Sequence, residues 1–225
     1  MERASKEIHN QKQFDLYAEL GPVRLGPYTS YIWRTDPKHL QFLLSRYLFV
    51  SKMLAGKSEA LEVGCGDALG TPIVLQTVKK VYALDFEPIV IDAARHCIDP
   101  TLNCEFVVQD ITEAPFAKKV DAVYSLDCIE HIPPEKSERY FANVAASINN
   151  DGIAIIGTPN ITANAYASEG SRTCHVNLQS HETLRAALAA HFKNVFIYSM
   201  NDGLVHTGFY PMAHYLLGVG VGKKI

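Results

Sequence analysis

From residue 58 onward, short apolar runs alternate with stretches of helical periodicity. The runs at Ala60–Val63, Val81–Leu84, Cys104–Val108, Ala122–Ser125, Ile153–Gly157 and Val195–Ser199 read as buried strands. Helical patterns lie between them, near 71–79, from Pro88 to Cys97, and from Pro133-Pro134 to Ile148. A further helix is capped by Ser180, carries Glu182 in its first turn and continues to His191. Strand–helix alternation is the signature of a parallel sheet with crossover helices. With Tyr215–Val221 as a last strand, the pattern predicts an α/β fold: a doubly wound, mostly parallel seven-stranded sheet with helices on both faces.

The first fifty residues have a different rhythm. Residues 1–20 are polar and partly helical, ending at Gly21-Pro22, and segment 21–35 sets Tyr28, Tyr31 and Trp33 among glycine and proline in the manner of a lid. Asp36-Pro37 starts a helix in which Leu40, Leu43, Leu44, Tyr47, Val50 and Leu54 recur at helical spacing and can pack across the sheet. The division expected is an N-terminal helical cap over residues 1–56 and one structural unit over 57–225. Within the latter, 160–178 is a polar loop too long to be idle in a compact domain.

The chain has 225 residues and a formal net charge of −3, enough length for one sizeable core and too little positive charge to favour nucleic acid or an anionic membrane. Its five cysteines, odd in number and irregularly spaced, argue for a reducing compartment. The first residues lack a signal peptide's apolar core, and no uncharged apolar run approaches the roughly 20 residues of a membrane span. A cytoplasmic protein with no membrane partner is expected.

Chemistry concentrates where the first strand ends, in Leu61-Glu62-Val63-Gly64-Cys65-Gly66-Asp67-Ala68-Leu69. A strand, a glycine turn and a helix start can leave backbone N–H groups open to a ligand, with Gly64 and Gly66 letting it approach. Glu62, an acid within an apolar strand, needs a cationic or hydrogen-bonding partner and suits a ligand bearing an ammonium group. A dinucleotide fingerprint would need glycine where Leu69 stands, which counts against an NAD-dependent oxidoreductase. Asp85, with Phe86 beside it, ends the second strand about 20 residues past the turn, and Asp110-Ile111 ends the third.

These residues resemble motif I and the following strand ends of the class I S-adenosylmethionine (SAM) methyltransferases, with Ala68 in place of the usual third glycine. The resemblance implies SAM as methyl donor. It gives Glu62, Gly64, Cys65 and Gly66 to the donor's amino-acid end, Asp85 to the ribose hydroxyls, Phe86, Asp110 and Ile111 to the adenine, and Leu126 to the same pocket.

A second cluster follows the fourth strand: Asp127-Cys128-Ile129-Glu130-His131. One helical turn there would bring Asp127, Glu130 and His131 near one another. The stretch resembles the acid-x-x-Glu-His element of ubiquinone-biosynthesis O-methyltransferases, shared with enzymes that 2′-O-methylate small-RNA 3′ ends. In some of those relatives the element binds a divalent cation. The resemblance therefore implies Asp127, Glu130 and His131, joined by His175, as ligands for magnesium, manganese, iron or zinc. Without a metal, His131 could act as general base. His206 and His214 lie in the late insertion that often borders the acceptor in this fold. The function expected is SAM-dependent O-methylation of a small-molecule or glycan-precursor hydroxyl. RNA 3′-end methylation is the alternative within the class, and NAD-dependent oxidation the alternative outside it.

Overall fold

A computed structural model describes residues 4–224. Eight strands form one sheet: β1 (Glu59–Val63), β2 (Lys80–Asp85), β3 (Cys104–Val108), β4 (Val120–Leu126), β5 (Ile148–Pro159), β6 (Phe192–Asn201), β7 (Leu204–His206) and β8 (Tyr215–Lys223). Their order is β3-β2-β1-β4-β5-β8-β6-β7. The first five strands pair in parallel, and β8 runs antiparallel between β5 and β6. The doubly wound α/β architecture is therefore as expected, with one strand more than the seven predicted. The extra strand, β7, folds back on β6 across Asp202-Gly203 as a short hairpin.

The cap consists of α1 (Gln11–Leu20), α2 (Pro27–Thr35) and α3 (Pro37–Met53). Lid-like segment 21–35 is thus largely helix, started by Pro27 in its first turn. Between the strands run α4 (Thr71–Val74), α5 (Pro88–Cys97) and α6 (Ser137–Ala146). The helix expected over 71–79 stops after one turn. The polar loop 160–178 contains α7 (Glu169–Cys174), and α8 (His181–His191) begins at a capping box whose second partner is Thr183. β5 starts at Ile148, five residues ahead of the run at Ile153–Gly157, and the β4–β5 register shifts between Val120 and Ala122 beside it.

Side-chain alternation along β1 sends Leu61 and Val63 to the face covered by α6 and α8, and Ala60 to the face covered by α3. Tyr47, Val50 and Leu54 of α3 and its C-cap pack against Val81, Ala122 and Tyr124 on that second face. Glu62 falls in the same alternation as Ala60, beneath α3. No helix among the described residues is long and apolar enough to cross a membrane.

Candidate active site

A cavity of about 780 Å³ opens at the carboxyl ends of β1, β2 and β4, where the strand order reverses. Gly64, Cys65, Gly66, Asp85 and Phe86 line one part of it, with Asp110, Ile111 and Leu126 nearby. Asp127 and His131 line it at the β4 end, and the cap closes over it through Tyr28, Ile32 and Leu43. Eight of the nine residues expected around the donor thus face one cavity.

Glu62 is the exception. Its carboxylate accepts hydrogen bonds from Tyr47 Oη (2.9 Å), Thr71 Oγ1 (2.6 Å) and Tyr124 Oη (2.9 Å), is buried, and does not line the cavity. The partner required by an acid in a strand is therefore three hydroxyls of the protein itself. Burial pushes its pKa up to about 7 although all three hydroxyls favour the charged form.

The glycine turn also differs from expectation. Its N–H groups are not left open: those of Gly64 and Cys65 donate to the Leu84 carbonyl (2.8 and 3.0 Å), and that of Gly66 donates to Asp85 Oδ2 (3.0 Å). Gly64 is needed for two other reasons. Its φ is +73°, and a Cβ there would meet Cys128 Sγ at 2.8 Å. Ala68, in place of the third glycine, keeps a left-handed φ of +58°.

Asp85 Oδ1 accepts the Glu87 N–H at 3.1 Å, so this carboxylate closes the turn and retains lone pairs toward the cavity. Asp110 Oδ1 is held by the N–H and hydroxyl of Thr112 (2.8 and 2.7 Å). Sequence reading missed Asp67, which is buried and accepts the Thr29 N–H (2.8 Å) and hydroxyl (2.7 Å), fastening α2 over the glycine turn. A Cβ on Gly26 would strike Asp67 at 2.3 Å, so the approach of α2 depends on that glycine.

The β4 end distributes the implied metal ligands differently. His131 and His175 meet with ring centroids 4.9 Å apart, because the N–H groups of Val176 and Asn177 donate to the Glu130 carbonyl (2.8 and 3.1 Å) and pin the loop there. Asp127 instead takes Arg46 Nη1 on both oxygens, at 2.6 and 2.5 Å. Glu130 is fully buried, with Oε2 accepting from Thr158 Oγ1 at 3.1 Å and Oε1 without a partner. Burial first, then the charge of Asp127, raises its pKa. The residues whose donor atoms do converge, all within 4.8 Å, are His131, His175 and Cys174. The set of Asp127, Glu130, His131 and His175 is therefore not gathered around one point, and its two carboxylates already have other surroundings.

His131 Nδ1 lies 3.3 Å from the Cys174 carbonyl. A carbonyl can only accept, so this contact needs the proton on Nδ1, the tautomer in which a neutral ring has its lone pair on Nε2. His175 has its pKa lowered by burial and by His131, with Asp127 opposing. Cys128, beside the glycine turn, has its thiol pushed up to about 12, mainly by burial, and is a poor nucleophile. His206 bonds Asn201 Oδ1 (2.8 Å) and His214 accepts the Asp202 N–H (3.4 Å); neither lines the cavity.

Comparison with known proteins agrees with this layout. Residues 60–152 match a family model described as "Methyltransferase domain". The chain is 28% identical over 172 residues to a ubiquinone biosynthesis O-methyltransferase of Rickettsia felis, covering 74% of this chain and 63% of the relative. It is 30% identical over 156 residues to the protein of the same name from Rickettsia bellii, covering 68% and 57%. The chain therefore spans about three fifths of the length of these relatives. Among solved structures, the N-methyltransferase NodS from Bradyrhizobium japonicum WM9, in complex with S-adenosyl-L-homocysteine (SAH), superposes with a TM-score of 0.63 at 16% identity, over 84% of this chain and 91% of that one. With the doubly wound sheet and the cavity at its switch point, these similarities give the chain a methyltransferase domain over residues 60–152, in the fold of the SAH-bound methyltransferase it superposes on.

Proposed function

We propose that this protein transfers the methyl group of SAM to a hydroxyl of a small ring-bearing acceptor. The observation that carries the reading is the single cavity shared by the glycine turn, Asp85, Asp110 and His131. When bound, SAM supplies a methyl group already activated on a sulfonium. Asp85 would hold the ribose hydroxyls, while Phe86, Asp110 and Ile111 would bound the adenine and Leu126 the sulfonium end. Residues 1–56 act as the cap and 57–225 as the catalytic unit, with α2 excluding water above the donor through the Asp67–Thr29 contact. Holding donor and acceptor in line can supply roughly 7–11 kcal/mol of the barrier reduction. The bare Nε2 of His131 receives the acceptor's proton, a contribution of roughly 10²–10⁴-fold. The curated relatives are named for O-methylation, which directs the proposal to a hydroxyl. Tyr28 and Tyr31 in the cavity suit a ring on the acceptor.

Calorimetric titration with SAH and with NADH tests the donor, and transfer of labelled methyl from SAM to 4-methylcatechol tests the acceptor class. Micromolar SAH binding without NADH binding is expected. NADH binding alone would overturn the reading in favour of an oxidoreductase.

A second reading has one observation behind it. The donor atoms of His131, Cys174 and His175 converge within 4.8 Å, and two imidazoles with a thiol suit zinc better than magnesium. An ion there would occupy His131 and remove it from service as a base. Activity that survives exhaustive chelation supports the base. Activity lost to chelation and restored by zinc supports the ion.

A further inference from the structure

At the β4 end of the cavity, Asp127 in its lining is paired with an arginine behind it, a pair that the sequence did not suggest. Arg46, in the middle of α3, is buried, and its side chain is 5% exposed. Nη1 donates to both oxygens of Asp127, and the guanidinium lies over the Tyr215 ring, 3.8 Å from the centroid. Burying an arginine is costly unless it is paired, so the pairing fixes where Asp127 must lie. Asp127 bears a cost of its own. Its φ is +54°, a left-handed conformation that costs a residue with a Cβ roughly 1–2 kcal/mol. Its N–H donates to the Gly157 carbonyl, which holds the turn in that shape (3.1 Å).

A strut meant only to fasten α3 to the sheet would hide both partners and would need no strained backbone. Here one partner is hidden and the other is not. The Asp127 side chain remains 27% exposed, lining the cavity four residues from His131. Strained residues held by their surroundings cluster at functional sites. The two bonds from Arg46 leave further lone pairs on the carboxylate for a hydroxyl donor.

Resting on the methyl-transfer reading above, we propose that Arg46 is a positioning residue for the acceptor: it holds Asp127 as a fixed carboxylate that accepts a hydrogen bond from an acceptor hydroxyl. Through this pair a residue of the cap sets the geometry of acceptor binding. A guanidinium of the protein itself then balances the charge of Asp127, the place that the resemblance assigns to a divalent cation. An acceptor with two neighbouring hydroxyls fits this arrangement, one anchored by Asp127 and the other presented to His131. The O–H of the second breaks as its oxygen bonds the methyl carbon, the proton passes to His131 Nε2, and the C–S electron pair leaves with the sulfur.

The test compares wild type, R46M, R46K and D127N by SAH calorimetry and by steady-state transfer to 4-methylcatechol. R46M is expected to keep SAH affinity within about twofold while kcat/KM for the catechol falls roughly 30–100-fold, the loss of a charged hydrogen bond. R46K should recover part of that loss, and R46M combined with D127N should be no worse than R46M alone. If R46M does not fold, D127N and R46K carry the same comparison. Unchanged catechol kinetics in a folded R46M or D127N would overturn the proposal. So would loss of SAH binding in proportion to transfer, which marks a strut. Wild type that binds SAH but does not methylate the catechol overturns the hydroxyl anchor while leaving the donor site standing. Wild type without SAH binding refutes the methyltransferase reading itself.

Discussion

The two ends of the cavity are built in different ways. At the end proposed for the donor, the lining comes from residues close in sequence: a glycine turn, an acid at the next strand end, and another one strand further on. Each sits on a parallel strand whose neighbours fix its height, and Asp85 bonds directly to the Gly66 N–H. At the end proposed for the acceptor the partners come from distant parts of the chain. Arg46 reaches Asp127 across 81 positions, and the His131 ring meets the Cys174 carbonyl across 43. A donor common to many enzymes can be held by a local motif, whereas an acceptor particular to one is held by whatever the cap and the late loops bring in.

That contrast yields graded predictions. His131→Ala should affect only the acceptor end, lowering kcat by roughly 10²–10⁴ while SAH affinity stays level, as single-turnover kinetics beside calorimetry would show. A parallel fall in SAH affinity would mean that the two ends are not separable.

Glu62→Gln examines the floor of the donor end. Burial raises the Glu62 pKa from 4.5 to about 7, so the folded state holds a proton that the unfolded state releases. Its contribution to stability is complete below about pH 4.5 and is lost as pH rises through about 7. The wild type should therefore lose on the order of 3 kcal/mol relative to E62Q across that window, followed by urea unfolding at each pH. Parallel curves would show that the three hydroxyls hold Glu62 charged throughout.

Asp85→Ala should weaken SAH binding roughly 30–150-fold, about 2–3 kcal/mol for lost charged hydrogen bonds, with little change at the acceptor end. An unchanged affinity would remove Asp85 from the donor site. The smallest effect is expected from Ala68→Gly. Relief of the left-handed strain should stabilise the protein by about 1 kcal/mol, less the added entropy of glycine when unfolded, read as a rise in Tm.

Legibility followed the same division. Five central strands and helices α3 and α5 were readable because apolar runs and caps are local signals. The hairpin strand β7 was not, since three residues pairing only with β6 carry little periodicity. Among site residues, glycines and strand-end acids stand out by type and spacing. Arg46 does not, because on a helix otherwise packed against the sheet it resembles any solvated arginine. Asp67 and Thr29 were missed for a similar reason: each is a common turn or helix residue until α2 folds back over the turn.

Glu62 shows the limit most clearly. An acid in an apolar strand demands a partner, and that much was settled by the sequence. Which partner depended on the face. Alternation along β1 turns Glu62 toward α3, where Tyr47, Thr71 and Tyr124 converge from three separate elements. The sequence by itself determined the parallel core of the sheet, the glycine turn and the resemblance to a methyltransferase domain, because these rest on periodicity and on residues a few positions apart. Only the tertiary structure decided which carboxylates face the cavity. Asp127 faces it while bound to Arg46, Glu130 is buried behind it, and Glu62 lies beneath it, since their surroundings are set by packing between elements far apart in the chain.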